Sequence, residues 1–546
     1  MRTTLPLILF LLLTQALRAE TYYLDLKSTA TDPDGSQSHP WTTLEQMQTT
    51  LAGKPGGGSG DVVRIAPGEY GNYIEGVAPN DTAAAPFQRA LPLRTEWLKL
   101  EAADPSQPPV FDFIQLYGNK NAWLRFEGIT VRSKPPHRPW AVYLRSVAKV
   151  HFSKCKIFAE DDGTEWPDGV GGGAEDLTFE NCEVSHVTAA LSVGGKNLTI
   201  RNCHIHDIAS SALKIGEGSS QVLLEGNYIH HQSPRIVRLF LYGEVKGSLK
   251  KGSKVVQDET GAKGEVYTVS KDKIEVTPES TIKILFALGK PVRLADGGDG
   301  VDSLTKVIPS DLSHGSGLSI RSSDLIARNN VIHNFGSTAA VTLYPDKKKG
   351  LSYHDIVLEN NLIFDPLTRH MVLDGLGDNI VIRHNTLPHG DIQLYAAEGK
   401  DLSGVTVENN IFTGITVMKA GDIPTLKASN NILFWVLSRE PRKSFTSYEG
   451  YPGSLFLHSA ETGQQAFTDL FVNFAEKDFR LKPGSRAVDR AKPDASPSTD
   501  LTGFARDSHA DIGCFEEGAK AVPLTPPLGP TEKVDRAEAF AIPSYR

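Results

Sequence analysis

The stretch that decides the fold is Ile356-Val-Leu-Glu-Asn-Asn-Leu-Ile363, which recurs in altered form as Ile380-Val-Ile-Arg-His-Asn-Thr-Leu387. Apolar and polar residues alternate at the start of both copies, the pattern of a strand with one buried face. Each copy has asparagine at its sixth position, and Asn361 and Asn385 are 24 residues apart. A recurring strand with a fixed polar residue indicates a repeat architecture.

Ten copies of this eight-residue motif occupy the chain. Their sixth positions are Ile129, Cys155, Cys182, Cys203, Asn227, Asn330, Asn361, Asn385, Asn410 and Asn431. The copies lie 21 to 31 residues apart, with one gap of 103. A second short alternating run, such as Ala190–Val193, follows most copies about 10 residues later. Short strands repeated at this spacing predict stacked parallel β-coils, because a helical repeat would show a 3.6-residue period.

Stacking of the coils assigns structural roles to the sixth positions. Equivalent residues of neighbouring coils lie about 4.8 Å apart, so each asparagine can hydrogen-bond to the next and form a ladder. Cys155, Cys182 and Cys203 occupy the same position, where cysteine behaves as a small buried apolar residue. We therefore expect no disulfide framework, although an exported chain with four cysteines would otherwise suggest one.

The 103-residue gap predicts an insertion. It equals one coil plus about 80 residues, and short β runs between glycines suggest a small β module at residues 235–295. The predicted divisions are a signal peptide (1–19), the N-terminal part of the solenoid (20–234), the module, the C-terminal part (296–516) and an irregular tail (517–546). The acidic stretch Asp296–Asp302 could bind Ca²⁺ through carboxylates and carbonyls, or form a flexible polar loop.

The N-terminal segment predicts export. Arg2 precedes the apolar run Leu5–Leu13, and Ala19 is a small residue suited to cleavage. We expect a secreted or periplasmic protein, since no other stretch approaches the roughly 20 apolar residues that a membrane span requires. A net charge of −8 argues against nucleic acid as a partner.

Both ends of the repeat resemble those of bacterial secreted β-helix repeat proteins of the pectate lyase-like superfamily. A short helix at Pro40–Met47 and a strand at Asp61–Tyr70 resemble the N-terminal cap of that group, and Ala510–Glu516 resembles its closing segment. The resemblance extends over most of Tyr22–Glu516. It implies an all-β, right-handed parallel β-helix with an N-terminal capping helix, and a long saccharide as ligand in a groove along one sheet.

A more distant similarity to alginate lyase and chondroitinase B-like lyases implies catalytic Lys and Arg residues on neighbouring coils. Lys214 lies on the second strand of its coil, and Arg321 follows the corresponding strand after the insertion. We expect them about two coils, or roughly 10 Å, apart. His314, just before that strand, is a further candidate acid or base.

Other residues suggest substrate contacts and competing functions. Tyr344, Gln393 and Tyr395 are candidate substrate-binding residues. A hydrolase of polygalacturonase type would use Asp161-Asp162 and the stretch around His314, but several coils separate the two. A non-catalytic polysaccharide-binding or cell-surface platform is a further alternative. We expect polysaccharide as the partner and a monomeric protein.

Histidines recur shortly after the ladder position and allow two interpretations. One cluster could bind a metal such as Zn²⁺ through imidazole and carboxylate: His204, His206, Asp207, His230 and His231. The repeat itself favours the other interpretation, in which they cap turns. We therefore predict no metal site among them and leave a requirement for Ca²⁺ open.

Overall fold

The computed structural model describes residues 19–76, 92, 94–118, 122–161, 166–280, 284–345, 350–418, 425–439, 442–445, 451–457, 461–493 and 496–522. The predicted signal peptide (except Ala19), Asp162 and the tail after residue 522 lie outside these ranges. Within them, no helix is long and apolar enough to cross a membrane.

Nearly all of the regular secondary structure of the described chain is β-strand. Up to the insertion they are β1 (Thr21–Leu24), β2 (Val62–Ile65), β3 (Glu69–Glu75), β4 (Leu98–Ala102), β5 (Val110–Tyr117), β6 (Leu124–Glu127), β7 (Thr130–Ser133), β8 (Trp140–Ser153), β9 (Lys156–Ala159), β10 (Asp168–Glu180), β11 (Glu183–Val187), β12 (Leu191–Gly194), β13 (Lys196–Arg201), β14 (His204–Ile208), β15 (Leu213–Ile215), β16 (Ser220–Glu225) and β17 (Tyr228–Gln232). The insertion contributes β18 (Ile236–Tyr242), β19 (Lys254–Gln257), β20 (Ala262–Val269), β21 (Lys273–Pro278), β22 (Arg293–Leu294) and β23 (Lys306–Leu312).

After the insertion come β24 (Ser316–Ile320), β25 (Leu325–Arg328), β26 (Val331–His333), β27 (Ala339–Leu343), β28 (Ile356–Glu359), β29 (Leu362–Phe364), β30 (Met371–Leu376), β31 (Ile380–Arg383), β32 (Asp391–Ala396), β33 (Val405–Glu408), β34 (Gly414–Val417), β35 (Lys427–Ser429), β36 (Ile432–Leu433), β37 (Trp435–Arg439), β38 (Arg442–Phe445), β39 (Leu455–Phe456), β40 (Phe471–Asn473) and β41 (Asp478–Leu481). The helices are α1 (Leu44–Gly53), a 3₁₀ turn at Pro55–Gly58, and α2 (Glu461–Thr468).

Three parallel ladders wind into a parallel β-helix, as the repeat predicts. The first sheet includes β12, β15, β24, β27 and β30, each paired with the next. The second sheet includes β13, β16, β25 and β28. The third sheet includes β14, β17, β26 and β29. Each strand pairs with its equivalent one coil away, so the chain advances by one strand spacing per turn.

The asparagine ladder is confirmed at the turn between the second and third sheets. The side-chain amide of Asn227 donates to Oδ1 of Asn330 at 3.0 Å, and the same contact runs from Asn330 to Asn361 at 3.0 Å. It continues through Asn385 and Asn410 to Asn431 at 2.9 to 3.0 Å. The left-handed backbone angles belong to the residue before each ladder position, for example Asn360 with φ 53°. Asparagine tolerates that region better than most residues.

Inside the solenoid, aliphatic and aromatic side chains form one continuous core. Phe126, Phe152 and Phe179 stack on successive coils with ring centroids 4.9 and 4.7 Å apart. The four cysteines are all free and buried, and Cys155, Cys182 and Cys203 occupy the ladder position of three coils. Burial raises the pKa of Cys155 and of Cys182 well above that of an ordinary thiol.

The insertion forms a separate six-stranded sheet that runs from β18 to β23. All of its strand pairings are antiparallel, and it has an apolar core of its own. Its last strand, Lys306–Leu312, comes after the module boundary predicted at residue 295. The ends of the insertion meet at the solenoid, where Arg235 N donates to Ser313 Oγ and Ser313 N donates to Arg235 O, both at 2.8 Å.

A helix covers the N-terminal end of the solenoid, and the C-terminal closing segment packs along the side of its last coils, for example through the hydrogen bond from Gly513 N to Asn409 O. The N-terminal helix begins at Leu44, because Thr43 caps it through a capping box with Gln46, and its Met47 and Leu51 join the solenoid core. At the other end the closing segment is buried. There the Arg506 guanidinium, 2% exposed, donates to the Glu516 carboxylate at 2.7 Å.

Candidate functional site

A polar groove of about 1150 Å³ lies along the outer face of the first sheet. Strands β12, β15, β24 and β27 form its floor, and the turns that precede them form one wall. Its lining residues are Asp168, Thr188, Ala189, Ser192, Ser210, Ser211, Lys214, His314, Gly315, Ser316, Ser319, Arg321, Ser337, Thr338, Thr342, Tyr344, Leu367, Thr368 and Arg369.

Strand alternation brings these polar side chains to the surface. Leu213 and Ile215 point into the core and are 0% exposed, so Lys214 between them faces outward. Lys214 pairs with Ser192 on one neighbouring coil and with Ser319 on the other. Ser319 in turn pairs with Thr342. One outward column therefore carries a single cation among hydroxyl groups.

Lys214 and Arg321 are closer in the fold than the sequence predicted. Ile215 pairs with Ile320, and Arg321 N donates to Ile215 O at 3.1 Å. The two cations therefore lie on consecutive coils, and the expected separation of two coils is wrong. The reason is that the insertion is looped out as a whole, so β15 pairs directly with β24.

His314 lines the groove and lies where the insertion rejoins the solenoid. It follows Ser313, whose hydroxyl donates to Ala209 O at 3.0 Å. The His314 carbonyl accepts a hydrogen bond from Ser210 Oγ at 2.9 Å. These contacts fix the backbone next to the groove, so the position of His314 depends on the same segment that anchors the insertion.

Asp168 is a groove residue that the sequence did not reveal. Burial raises the pKa of its carboxyl above the ordinary value, and the Ala189 N–H, at 3.1 Å, and the charge of Lys214 only partly offset this effect. It begins β10, a 13-residue strand that runs through two sheets, so the eight-residue repeat begins well after it. An Asp two residues before the apolar start of a first-sheet strand was the available signal.

The three residues predicted to bind substrate lie at different places along the first sheet. Tyr344 lines the groove and is 41% exposed. Gln393 shares the outward column of Lys214, two coils beyond Thr342 through Val372. Tyr395 follows on the same strand. The structure thus brings Lys214, Arg321, His314 and Tyr344 together and leaves Gln393 and Tyr395 outside the groove.

The groove is cationic although the chain carries a net charge of −8. Its lining has three Lys or Arg side chains, Lys214, Arg321 and Arg369, and one carboxylate, Asp168. Ten serines and threonines supply hydroxyls that both donate and accept hydrogen bonds. Such a lining suits a polar, negatively charged and extended ligand.

The part of the chain that the structure describes contains no group of three or more His, Cys, Asp or Glu side chains arranged to hold a metal ion. Calcium prefers six to eight oxygen ligands, several of them carboxylates, and Asp168 is the one carboxylate of the described groove lining. In the acidic stretch Asp296–Asp302, Asp302 is paired with Lys246 at 2.9 Å. The groove lining and Asp302, as far as the structure describes them, therefore do not fit a calcium site.

The histidine cluster stacks along the third sheet. His206, His230 and His333 occupy one column on successive coils, with ring centroids 5.4 and 5.3 Å apart and ring planes within 7° of parallel. His204 Nε2 lies 2.7 Å from His230 Nε2, a hydrogen-bond distance. The rings of the column contact one another face to face, so packing along the third sheet explains these histidines.

Comparison with known proteins identifies the fold. Residues 140–241 match a family model described as a right handed beta helix region. The solenoid is thus a right-handed parallel β-helix. No curated protein matches the chain.

Solved structures resemble the chain only in general shape. A pectate lyase, Pel9A, is 13% identical over 91% of this chain and 96% of its own, with a TM-score of 0.42. A rhamnogalacturonan lyase is 14% identical over 76% and 87%, with a TM-score of 0.33. A tailspike protein of E. coli bacteriophage HK620 is 11% identical over 79% and 78%, with a TM-score of 0.31. Similarities at this level say nothing about activity.

Proposed function

We propose that the protein binds an acidic polysaccharide in the groove and cleaves it by β-elimination. The observation that carries this proposal is the placement of Lys214 and Arg321 on consecutive coils, in a groove rich in hydroxyls. An elimination beside a uronate carboxylate needs a base and a neighbouring cation. Both groups are present here within one surface.

The chemistry assigns a separate task to each side chain. The Lys214 ammonium first loses a proton to solvent, and its free amine then takes the proton from the carbon beside the uronate carboxylate. Arg321 stabilises the negative charge that develops on that carboxylate. The electron pair then forms a carbon–carbon double bond as the bond to the glycosidic oxygen breaks, and His314 donates a proton to that oxygen.

Asp168 and the hydroxyl groups of the groove hold Lys214 and the sugar in position and take no part in the bond changes. The Asp168 carboxylate interacts electrostatically with Lys214 and so orients its amino group. Serine hydroxyls of the floor, such as those of the half-buried Ser192 and Ser319, are suited to hydrogen-bond the sugar. Tyr344 offers an exposed ring at the edge of the groove for stacking.

Hydrolysis by a polygalacturonase-type mechanism has less support. It requires a pair of carboxyl groups on either side of the scissile bond, whereas the described groove lining offers Asp168 alone. Of the Asp161-Asp162 pair considered above, Asp161 lies outside the groove lining and Asp162 outside the described residues.

The test is an ultraviolet absorbance assay for unsaturated uronates on alginate, pectin, chondroitin sulfate and ulvan. We expect a signal on at least one polymer and a loss of 100-fold or more for Lys214→Ala, the usual scale for a general base. Lys196→Ala, an exposed lysine on the second sheet, is the matched control and should leave the rate unchanged. Binding without cleavage would favour the platform function, and new reducing ends without absorbance would favour hydrolysis.

A further inference from the structure

A strip of bare backbone runs along the first sheet beside the Lys214 column. Gly173 pairs with Arg145 on one side and with Gly194 on the other. Gly216 follows on the next coil, where its N–H donates to Val193 O at 2.8 Å, and Arg321 follows Gly216. All three glycines are partly exposed. They therefore form an open floor between two arginines.

Folding does not require glycine at these three positions. None of them has a left-handed φ, and a Cβ atom on Gly173, Gly194 or Gly216 would meet neighbouring atoms at 3.5 Å or more. The adjacent Gly195 shows the contrast, because its φ is 138° and a Cβ there would lie 1.8 Å from Ala174 O. Glycine weakens a strand interior, so three stacked glycines without a conformational need point to a role in binding.

The far end of the strip carries an aromatic and cationic cluster. The Trp140 indole lies against Gly171, where a Cβ would come within 2.1 Å of Trp140 Nε1. Trp140 stacks on Tyr143 with centroids 4.6 Å apart and planes at 23°. Arg145 is exposed, and its guanidinium lies 5.6 Å from the centre of the Tyr117 ring. Hydrogen bonding to Tyr143 raises the pKa of Arg145, so it remains a cation.

We infer that this cluster is a second anion subsite for the same acidic saccharide. Resting on the proposed function, the inference places an extended uronate chain along the glycine strip, with one carboxylate at Arg321 and another at Arg145. Four strand spacings separate the two arginines, about 19 Å. The bare strip lets the sugar rings approach the backbone, and Trp140 and Tyr143 offer faces for stacking.

The test compares short with long ligands by calorimetry. The probes are galacturonate and mannuronate oligomers of two and eight residues, measured in a Lys214→Met background so that they stay intact. We expect the octamer to bind at least tenfold more tightly than the dimer. We call this ratio of octamer to dimer affinity the length gain. Arg145→Gln should abolish most of the length gain and leave the dimer affinity unchanged.

Gly194→Val separates binding from folding. The added Cβ clears its neighbours at 3.5 Å or more and the φ angle is not left-handed, so we expect the melting temperature to stay equal or rise, while the length gain should fall at least tenfold. Thr178→Val, on the second sheet and in the same strand as Gly173, is the matched control and should keep the gain.

Each outcome bears on a different proposal. Equal affinities for dimer and octamer would overturn the second subsite and leave the proposed function standing. A length gain that survives both Arg145→Gln and Gly194→Val would also overturn it. A length gain lost in both variants, in a protein that cleaves none of the polymers, would support the subsite while the elimination proposal fails. No binding of either oligomer at either length would overturn the second subsite, and the proposed function fails as well if none of the four polymers is cleaved.

Discussion

The ladder asparagines use nearly all the hydrogen-bonding capacity of their side chains inside the core. Asn385 is 0% exposed, and its amide donates to Leu358 O, Arg383 O and Asn410 Oδ1 at 2.9 to 3.0 Å. Its own Oδ1 accepts from the backbone and side-chain nitrogens of Asn361. A polar side chain buried in this way is stable only because each of its groups has a partner.

Replacing one ladder asparagine should therefore be costly. We expect Asn385→Ala to lower the free energy of unfolding by about 2–4 kcal/mol, because it leaves buried groups on both neighbouring coils without partners. Urea denaturation followed by circular dichroism measures this loss. Asn72→Ala, an exposed position on β3, should change the free energy by less than about 0.5 kcal/mol. Equal effects of the two substitutions would contradict the structural role of the ladder.

Asp168 provides a test of the electrostatics of the groove. Asp168→Asn keeps an oxygen that accepts from the Ala189 N–H but removes the one negative charge of the described lining. We expect an acidic oligosaccharide to bind about fivefold more tightly, since a change of roughly 1 kcal/mol is typical for one nearby charge in a partly solvated site. Calorimetry at two salt concentrations checks this. Unchanged or weaker binding of the oligosaccharide would contradict this electrostatic role of Asp168.

For single residues, the sequence predicted which side chains face outward wherever the residue belongs to a strand of the repeat. Lys214 and Arg321 could be assigned to the outer face because apolar neighbours define the inward positions of their strands. Asp168 could not, because its strand starts before the repeated motif and its carboxyl is buried by turns from other coils. Gln393 was assigned to the correct face, but a face does not tell how far along the sheet the groove extends.

Among the elements, the third sheet carries a column of buried imidazoles. His333 is 6% exposed and stacks on Phe364 of the next coil with centroids 4.7 Å apart. Burial, with the charges of His231 and Lys477, lowers the pKa of His333 to about 3. Burial and the charge of His206 likewise lower the pKa of His204 to about 4. These rings fold in the neutral form.

The pH dependence of stability follows from these lowered pKa values. The unfolded chain takes up a proton near pH 6.5 but the folded His333 only near pH 3, so stability is highest above 6.5 and falls as the pH drops toward 3. At pH 5 this costs about 2 kcal/mol for one imidazole. His333→Phe places at this position the same ring that Phe364 supplies on the next coil. We expect this variant to lose less stability between pH 7.5 and pH 5, by about that amount.

Denaturant titrations at the two pH values measure this difference. His509→Gln is the control, because its side chain is exposed, and the acid loss should be the same in this variant as in the unaltered chain. If the loss between pH 7.5 and 5 were the same in His333→Phe as in the unaltered chain, the imidazole column would not be its source.

The strands themselves were largely predictable, because a two-residue alternation and a fixed asparagine mark each second strand. The long strands were not. Trp140–Ser153 and Asp168–Glu180 each run through two sheets, and each contains a residue other than glycine with a left-handed backbone, Lys149 with φ 61° and Asp176 with φ 51°. The N-terminal helix begins at Leu44 rather than Pro40, since the capping contacts of Thr43 define its first turn.

For the molecule as a whole, the insertion interrupts the chain but not the stacking. Val222 pairs with Leu325, and Tyr228 with Val331, across it. The sequence indicated an insertion from its length alone. It could not show that the insertion contains no solenoid strand, because the pairing of β15 with β24 depends on the ends of the insertion meeting in space.

The insertion should therefore be removable. We expect a chain in which Gly-Gly replaces residues 236–312 to keep its β-rich circular dichroism and to melt within a few degrees of the full chain, since Arg235 and Ser313 already contact each other. Calorimetry of both proteins checks the prediction, and the excised segment made alone should show a separate transition from its own core. Aggregation of the shortened chain would mean that the module covers apolar surface of the solenoid.

The stacked cysteines have a practical consequence. Cys155, Cys182, Cys203 and Cys514 are buried and unpaired. We therefore expect that neither a disulfide-forming oxidase nor a disulfide isomerase is needed to make this protein. We expect it to fold in a reducing host cytoplasm and to keep its structure in reductant. A cysteine introduced at an exposed position such as Ser38 would then be the one thiol accessible to a maleimide dye. The protein could thus be immobilised or fluorescently labelled at a single site without first removing its native cysteines.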